Sequence, residues 1–230
     1  MSSTTKTLHG IATVVHILSA ILVSQYAGQR AWLIANESAT AFSHAVGYYI
    51  WTRRFPDNKV VEYTRRWIEY AVTAGLLEVA ILGTSDVSRI LAILTLNAVL
   101  QAFGWILDAR EQLDWLLLLG FGVLGVEIAL IALWSSEPWW TIVIYGFLYA
   151  LFGVVQTLHK LNALPFDEDH IYTLLSITTK VVLTWTLVAH DRHDTALEIS
   201  VNVVGAVVLL AGGFYLRKRT GRGSRQLPQY

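Results

Sequence analysis

The chain has 230 residues, of which 54% are hydrophobic and 15% charged, with a formal net charge of zero and a mean hydropathy of +0.49. So much apolar surface cannot be hidden in one soluble core of this length, so the composition excludes an ordinary globular domain and makes the lipid bilayer the chain's partner. The neutral balance argues against nucleic acid as a partner, and the absence of cysteine excludes disulfides and thiolate metal sites.

Apolar stretches bounded by charges or turn residues predict eight segments, at 8–33, 38–52, 61–83, 87–108, 113–134, 138–160, 169–190 and 195–216. Roughly 20 helical residues at 1.5 Å each cross a hydrocarbon core of about 30 Å. The first segment follows MSSTTKTLHG, which lacks the cleavage pattern of a signal peptide, so it is expected to remain as a span. The second is short and carries His44, and charge placement is what makes it cross. With eight spans, Lys6, Arg53, Arg54, Lys59, Arg65, Arg66, Arg110, Lys160 and the cluster Arg217, Lys218, Arg219, Arg222 and Arg225 share one side with both termini. Only Arg30, Arg89 and Arg192 face the other side, so the positive-inside rule makes both termini cytoplasmic, in what reads as the cell membrane. The sequon Asn36-Glu37-Ser38 then falls outside, as a short motif of the kind that arises by chance. No internal repeat is visible, and the tail from Arg217, RKRTGRGSRQLPQY, reads as disordered.

Within the third segment, Glu69 sits about eight residues from the cytoplasmic start, with Arg65 one turn before it and Trp67 and Tyr70 beside it. Glu78 follows about 13 Å farther along. The fifth segment carries Glu127 amid GFGVLGVEIALIAL, and Glu198 lies near the start of the eighth. Lys180 stands in the middle of the seventh, roughly 15 Å of helix from either end, too deep to snorkel. An ionisable group at that depth is costly and points to function. It is expected either to pair structurally with a buried carboxylate or to form an imine whose protonated form needs a counterion. Glu69 approaches the same depth. Its alternatives are an i, i+4 pair with Arg65 and a pair with Lys180 across the bundle, the second being favoured because either charge alone would be heavily penalised.

RWIEY from Arg66, LNAVLQAFGW from Leu96, IYGFLYALFGVVQ from Ile144 and LLSITTKVVLTW from Leu174 together make the chain resemble the heliorhodopsins, retinal proteins inverted relative to other microbial rhodopsins. The resemblance covers roughly residues 8–190 and extends more weakly to His16 and His44. It implies all-trans retinal bound to Lys180 as a protonated Schiff base, with Glu69 as counterion and Ser176 hydrogen-bonding near it. It also implies a proton network through His16 and His44, with Tyr70 beside it, and a pocket using Asn97, Trp185, Phe152 and Tyr149; Phe103 and Trp105 are further aromatics that could bound a polyene. Each of these has a plain alternative as a packed or hydrogen-bonded side chain. Glu78 and Glu127 depart from the family pattern, as does the eighth segment.

The resulting expectation is an all-α membrane protein. It has a seven-helix rhodopsin-like domain over 1–190, an additional span over 191–216 and a basic cytoplasmic tail over 217–230. Its function is photoreception, without enzymatic turnover: the sequence holds no HExxH, no phosphate loop and no credible nucleophile with its base. Light-gated or light-driven proton transport is the alternative that Glu78 and Glu127 motivate. A membrane regulator or scaffold of an enzyme or signalling partner is the third, and homodimerisation is left open.

Overall fold

The computed structural model describes residues 3–26, 31–53, 59–110, 115–164 and 168–223. They form eight helices: α1 Ser3–Tyr26, α2 Ala31–Arg53, α3 Lys59–Leu82, α4 Val87–Asp108, α5 Leu116–Trp134, α6 Trp139–Lys160, α7 Glu168–Asp191 and α8 Thr195–Gly223. Six of them, α1 and α4 to α8, are long and apolar enough to cross a membrane. The chain is an all-α, multi-pass membrane bundle.

α2 and α3 are not apolar enough to join those six, and the direction of their side chains explains it. Asn36, Glu37, Thr40 and His44 on α2, and Glu62, Arg66, Glu69 and Glu78 on α3, are buried, whereas Phe42, Tyr49, Ile68 and Val72 are exposed. This is the amphipathic pattern of a helix turned inside out, polar toward the bundle and apolar toward lipid. At 23 and 24 residues, both are about 35 Å long, sufficient to span.

α7 forms the centre. It packs against α1, α6 and α8 and also meets α2 and α3, and 72% of its most apolar stretch is buried, against 6% for α8. Lys180 is thereby central in the bundle as well as midway along its helix. α8 lies outside, seated on α7 by two glycines: a Cβ at Gly205 would meet Val182 Cγ2 at 2.3 Å, and one at Gly212 would meet Leu174 Cδ2 at 2.4 Å. Small residues at such points let helix backbones approach closely in lipid.

Three expected boundaries are corrected. α1 ends at Tyr26 rather than near residue 33, and α2 begins at Ala31, seven residues before the expected 38. Hydropathy stops at Asn36 and Glu37 because they are polar, but both are fully buried and hydrogen-bonded inside the bundle, so the helix includes them. The same burial removes the sequon: Asn36 is an interior residue and not part of an outer loop. Finally, α8 runs through the basic cluster to Gly223, where disorder was expected from Arg217. Lysine and arginine are good helix formers, and cations are favourable at a helix C-terminus. Residues 224–230 lie outside the described residues, as do Arg30 and Arg54 of the charge count.

Candidate functional site

Lys180 and Glu69 meet across the bundle, Nζ lying 2.5 Å from Oε1 with both side chains almost wholly buried. Ser176, one turn before Lys180 and on the same face of α7, donates to the same oxygen at 3.0 Å. The other oxygen, Oε2, accepts from Arg65 Nη1 at 2.8 Å and from Ser43 Oγ at 2.8 Å. The two pairings weighed for Glu69 therefore coexist, each cation taking its own oxygen. Arg65 is itself fixed by Glu62, whose Oε1 lies 2.5 Å from Nη2.

Two histidines expected near this centre lie close to it. His44 Nε2 is 3.7 Å from Glu69 Oε1, and its Nδ1 is 2.9 Å from His9 Nδ1. His9 Nε2 in turn lies 3.4 Å from Glu62 Oε1, which extends the polar line toward the first turn of α3. His16 stacks on His44, ring centres 6.0 Å apart and planes within 7°, and places Nδ1 2.6 Å from Glu37 Oε2. His9, Glu37, Glu62 and Ser43 were not singled out by sequence reading. The spacing of His9 and His16, two helical turns apart on one face of α1, was a usable signal.

From Lys180 a cavity of about 730 Å³, including its open mouth, extends between α3, α4, α5 and α6, walled by Trp67, Tyr70, Phe103, Phe121, Tyr149 and Phe152. Tyr70 places its ring 5.0 Å from Lys180 Nζ and packs edge-on against Phe152 at 5.1 Å. Its hydroxyl donates to the Tyr172 carbonyl oxygen at 3.2 Å, so it joins the site by its ring. Gly104 makes the wall possible, because a Cβ there would stand 2.3 Å from the Trp67 ring. Trp67 Nε1 donates to Asp108 Oδ2 at 2.5 Å, and Asp108 also binds Arg66 at 2.6 Å and Gln156 Nε2 at 2.6 Å. The RWIEY stretch thus splits its work: Arg66 and Trp67 are tied to Asp108, while Glu69 and Tyr70 face the lysine.

Asn97 and Trp185 are not among the residues lining this cavity. Asn97 donates to the Ala71 carbonyl oxygen at 2.8 Å, joining α4 to α3, and Trp185 Nε1 donates to Ser19 Oγ at 3.0 Å, joining α7 to α1. Trp105 is partly exposed, with its indole bonded to Thr64.

Glu78 and Glu127 form a separate site between α3, α5 and α6. Both are fully buried, and Tyr145 donates to Glu78 Oε1 at 2.8 Å. Among the described residues, Glu78 Oε2 and both Glu127 oxygens have no hydrogen-bond donor. Each carboxyl acts on the other, and the surroundings are the apolar core of Leu77, Ile81, Leu124 and Ile131. Among the described residues, no group of three or more His, Asp or Glu is placed to hold a metal ion.

The profile of a protein family described as Heliorhodopsin matches residues 38–190, a stretch from α2 to the end of α7 that contains the Lys180–Glu69 pair. No curated protein and no solved structure matches the chain.

Proposed function

The chain belongs to the heliorhodopsin family, and from that premise we propose that it is a light-sensing photoreceptor carrying all-trans retinal on Lys180 Nζ as a protonated imine, with Glu69 as counterion. The observation that carries this reading is the buried Lys180–Glu69 pair at the end of an aromatic-walled cavity. The cavity suits an elongated polyene: its walls are mainly apolar and aromatic, as in small-molecule sites with a few placed polar groups, and an amine stands at its end where an aldehyde would be captured. Retinal, when bound, supplies light absorption and isomerisation.

The chain's own residues do the rest. Glu69 Oε1 neutralises the positive charge held at Nζ, in a setting where an unpaired charge is severely penalised. Ser176 orients that oxygen, while Arg65 and Ser43 keep Oε2 in place, so the charge opposite Nζ is fixed before light arrives. Trp67, Tyr70 and Phe152 exclude water from the cavity. His44 stands behind Glu69 as a ring able to hold a proton. Because α7 contacts five other helices, movement at Lys180 is carried into the bundle, and this is how a signal would leave the site.

Residues 1–190 serve as the photoreceptor bundle, 191–216 as an additional span and 217–230 as a basic cytoplasmic segment, with both termini cytoplasmic. The bias of Lys and Arg toward one side supports that orientation. A second reading, light-gated or light-driven proton transport, is favoured by the donor-poor carboxyls of Glu78 and Glu127. It predicts a photocurrent whose reversal potential follows the proton gradient and which Glu127→Gln reduces while the visible band remains.

The test of the first reading is expression with all-trans retinal. A visible absorption band should form and survive denaturation as a covalent adduct, and Lys180→Ala should abolish it completely. A covalent adduct retained by Lys180→Ala contradicts the proposal.

A further inference from the structure

Glu37 is a second fully buried carboxylate near Lys180, and the pairing at Glu69 makes no use of it. His16 Nδ1, from α1, lies 2.6 Å from its Oε2. Thr184 Oγ1, from α7, donates to its Oε1 at 2.7 Å. Asn36 Nδ2 donates to that oxygen at 3.3 Å and to Thr184 Oγ1 at 3.3 Å, tying the carboxylate and the hydroxyl together.

Thr184 is one helical turn beyond Lys180, as Ser176 is one turn before it, so the three share a face of α7. The lysine therefore has a carboxylate held at each flanking turn: Glu69 through Ser176 and Glu37 through Thr184. Glu37 is also close enough to act electrostatically on Lys180. The ionisable groups gathered around this region are His16 from α1, His44 from α2, Glu69 and Arg65 from α3, and Lys180 from α7.

The two carboxylates differ in what a proton would meet. Glu69 bonds to two cations and two hydroxyls, and protonating it would break into both ion pairs. Glu37 bonds to no lysine or arginine among the described residues; its ionisable hydrogen-bond partner is His16, whose Nε2 has no hydrogen-bond partner of its own. A carboxylate without a fixed cation accepts a proton at lower electrostatic cost than one bound to two.

We propose that Glu37, held by His16, is the proton-accepting site for Lys180 Nζ on the side of the lysine opposite Glu69. On illumination the proton leaves Nζ, which becomes neutral, and adds to the Glu37 carboxylate, which becomes a carboxylic acid. Thr184, one turn along α7 from Lys180, is the hydroxyl that donates to the accepting carboxylate. The return step reverses the transfer, and nothing is oxidised or reduced. The inference rests on the reading of Lys180 as the retinal-bearing residue, but it is drawn from this chain's own contacts: Glu37 and His16 both precede the stretch matched by the family profile.

Light-minus-dark infrared spectra of the retinal-loaded full chain test the transfer. A carbonyl stretch of a newly protonated carboxylic acid should appear, vanish in Glu37→Gln and persist in Glu127→Gln. Thr184→Val, which removes the shorter of the two hydrogen bonds to Oε1 and keeps the carboxylate, should shift its frequency. In the retinal-free protein, ¹⁵N spectra of the histidine rings should show a strongly hydrogen-bonded His16 Nδ1 that changes in Glu37→Gln. A band that survives Glu37→Gln, or keeps its frequency in Thr184→Val, overturns the proposal, as does a His16 signal indifferent to Glu37→Gln. If these failures occur in a protein that forms its pigment on Lys180, they strike this inference alone. Failure to form a pigment on Lys180 removes the photoreceptor reading and this inference with it.

Discussion

The bundle buries carboxylates in two contrasting ways. Around Lys180, both oxygens of Glu69 are occupied by a cation and a hydroxyl each, and the polar line continues through His44 and His9 to Glu62. Between α3, α5 and α6, the Tyr145 hydroxyl donates to Glu78 alone, Glu127 has no donor among the described residues, and the neighbours are apolar. The first arrangement holds separated charge in a fixed geometry, which is what a chromophore's positive end requires. In the second, no cation among the described residues is paired with either carboxyl, so nothing there offsets the cost of a buried charge. The two sites lie about 13 Å apart along α3, but what sets their chemistry is the donors around each carboxyl.

That contrast can be broken by removing acids one at a time from the retinal-free protein and measuring unfolding in detergent. Glu69→Leu leaves the Lys180 ammonium buried without its partner and should cost about 3–5 kcal/mol. Tyr145→Phe removes one interhelical hydrogen bond and should cost about 0.6 kcal/mol, the usual scale for such bonds in membrane bundles. Glu127→Leu should show no loss of stability, since it replaces an acid lacking donors by an apolar side chain in an apolar setting. Equal losses from Glu69→Leu and Glu127→Leu would erase the distinction.

The centre of the site was legible in the sequence because depth is additive along a helix: counting residues from the span ends puts Lys180 and Glu69 at a common level. What counting could not supply was which partner Glu69 takes, and the bundle answers with both, because a carboxylate has two oxygens. Glu37 escaped for the opposite reason. A hydropathy window reads Asn36-Glu37-Ser38 as a boundary, whereas the fold turns Asn36 and Glu37 inward and leaves Ser38 exposed; Glu37 meets His16 and Thr184, the latter 147 residues away in sequence. Glu78 and Glu127 were recognisable as acids in apolar spans, yet their sharing one site depends on α3 meeting α5, which no local pattern encodes. The α8 extension was missed because a basic, glycine-containing tail resembles disorder until it is seen continuing a helix.

The central claim is that Glu69 is the counterion of a positive charge at Lys180 Nζ, and a pH titration of the visible spectrum in Glu69→Gln tests it most directly. Glutamine keeps much of the side chain's hydrogen-bonding capacity while removing its charge, so the change isolates electrostatics. The account predicts that the protonated pigment absorbs to the red of the unaltered protein and that its visible band is lost at lower pH, because the cation at Nζ has lost its opposing charge. A spectrum and titration unchanged from those of the unaltered protein would contradict it.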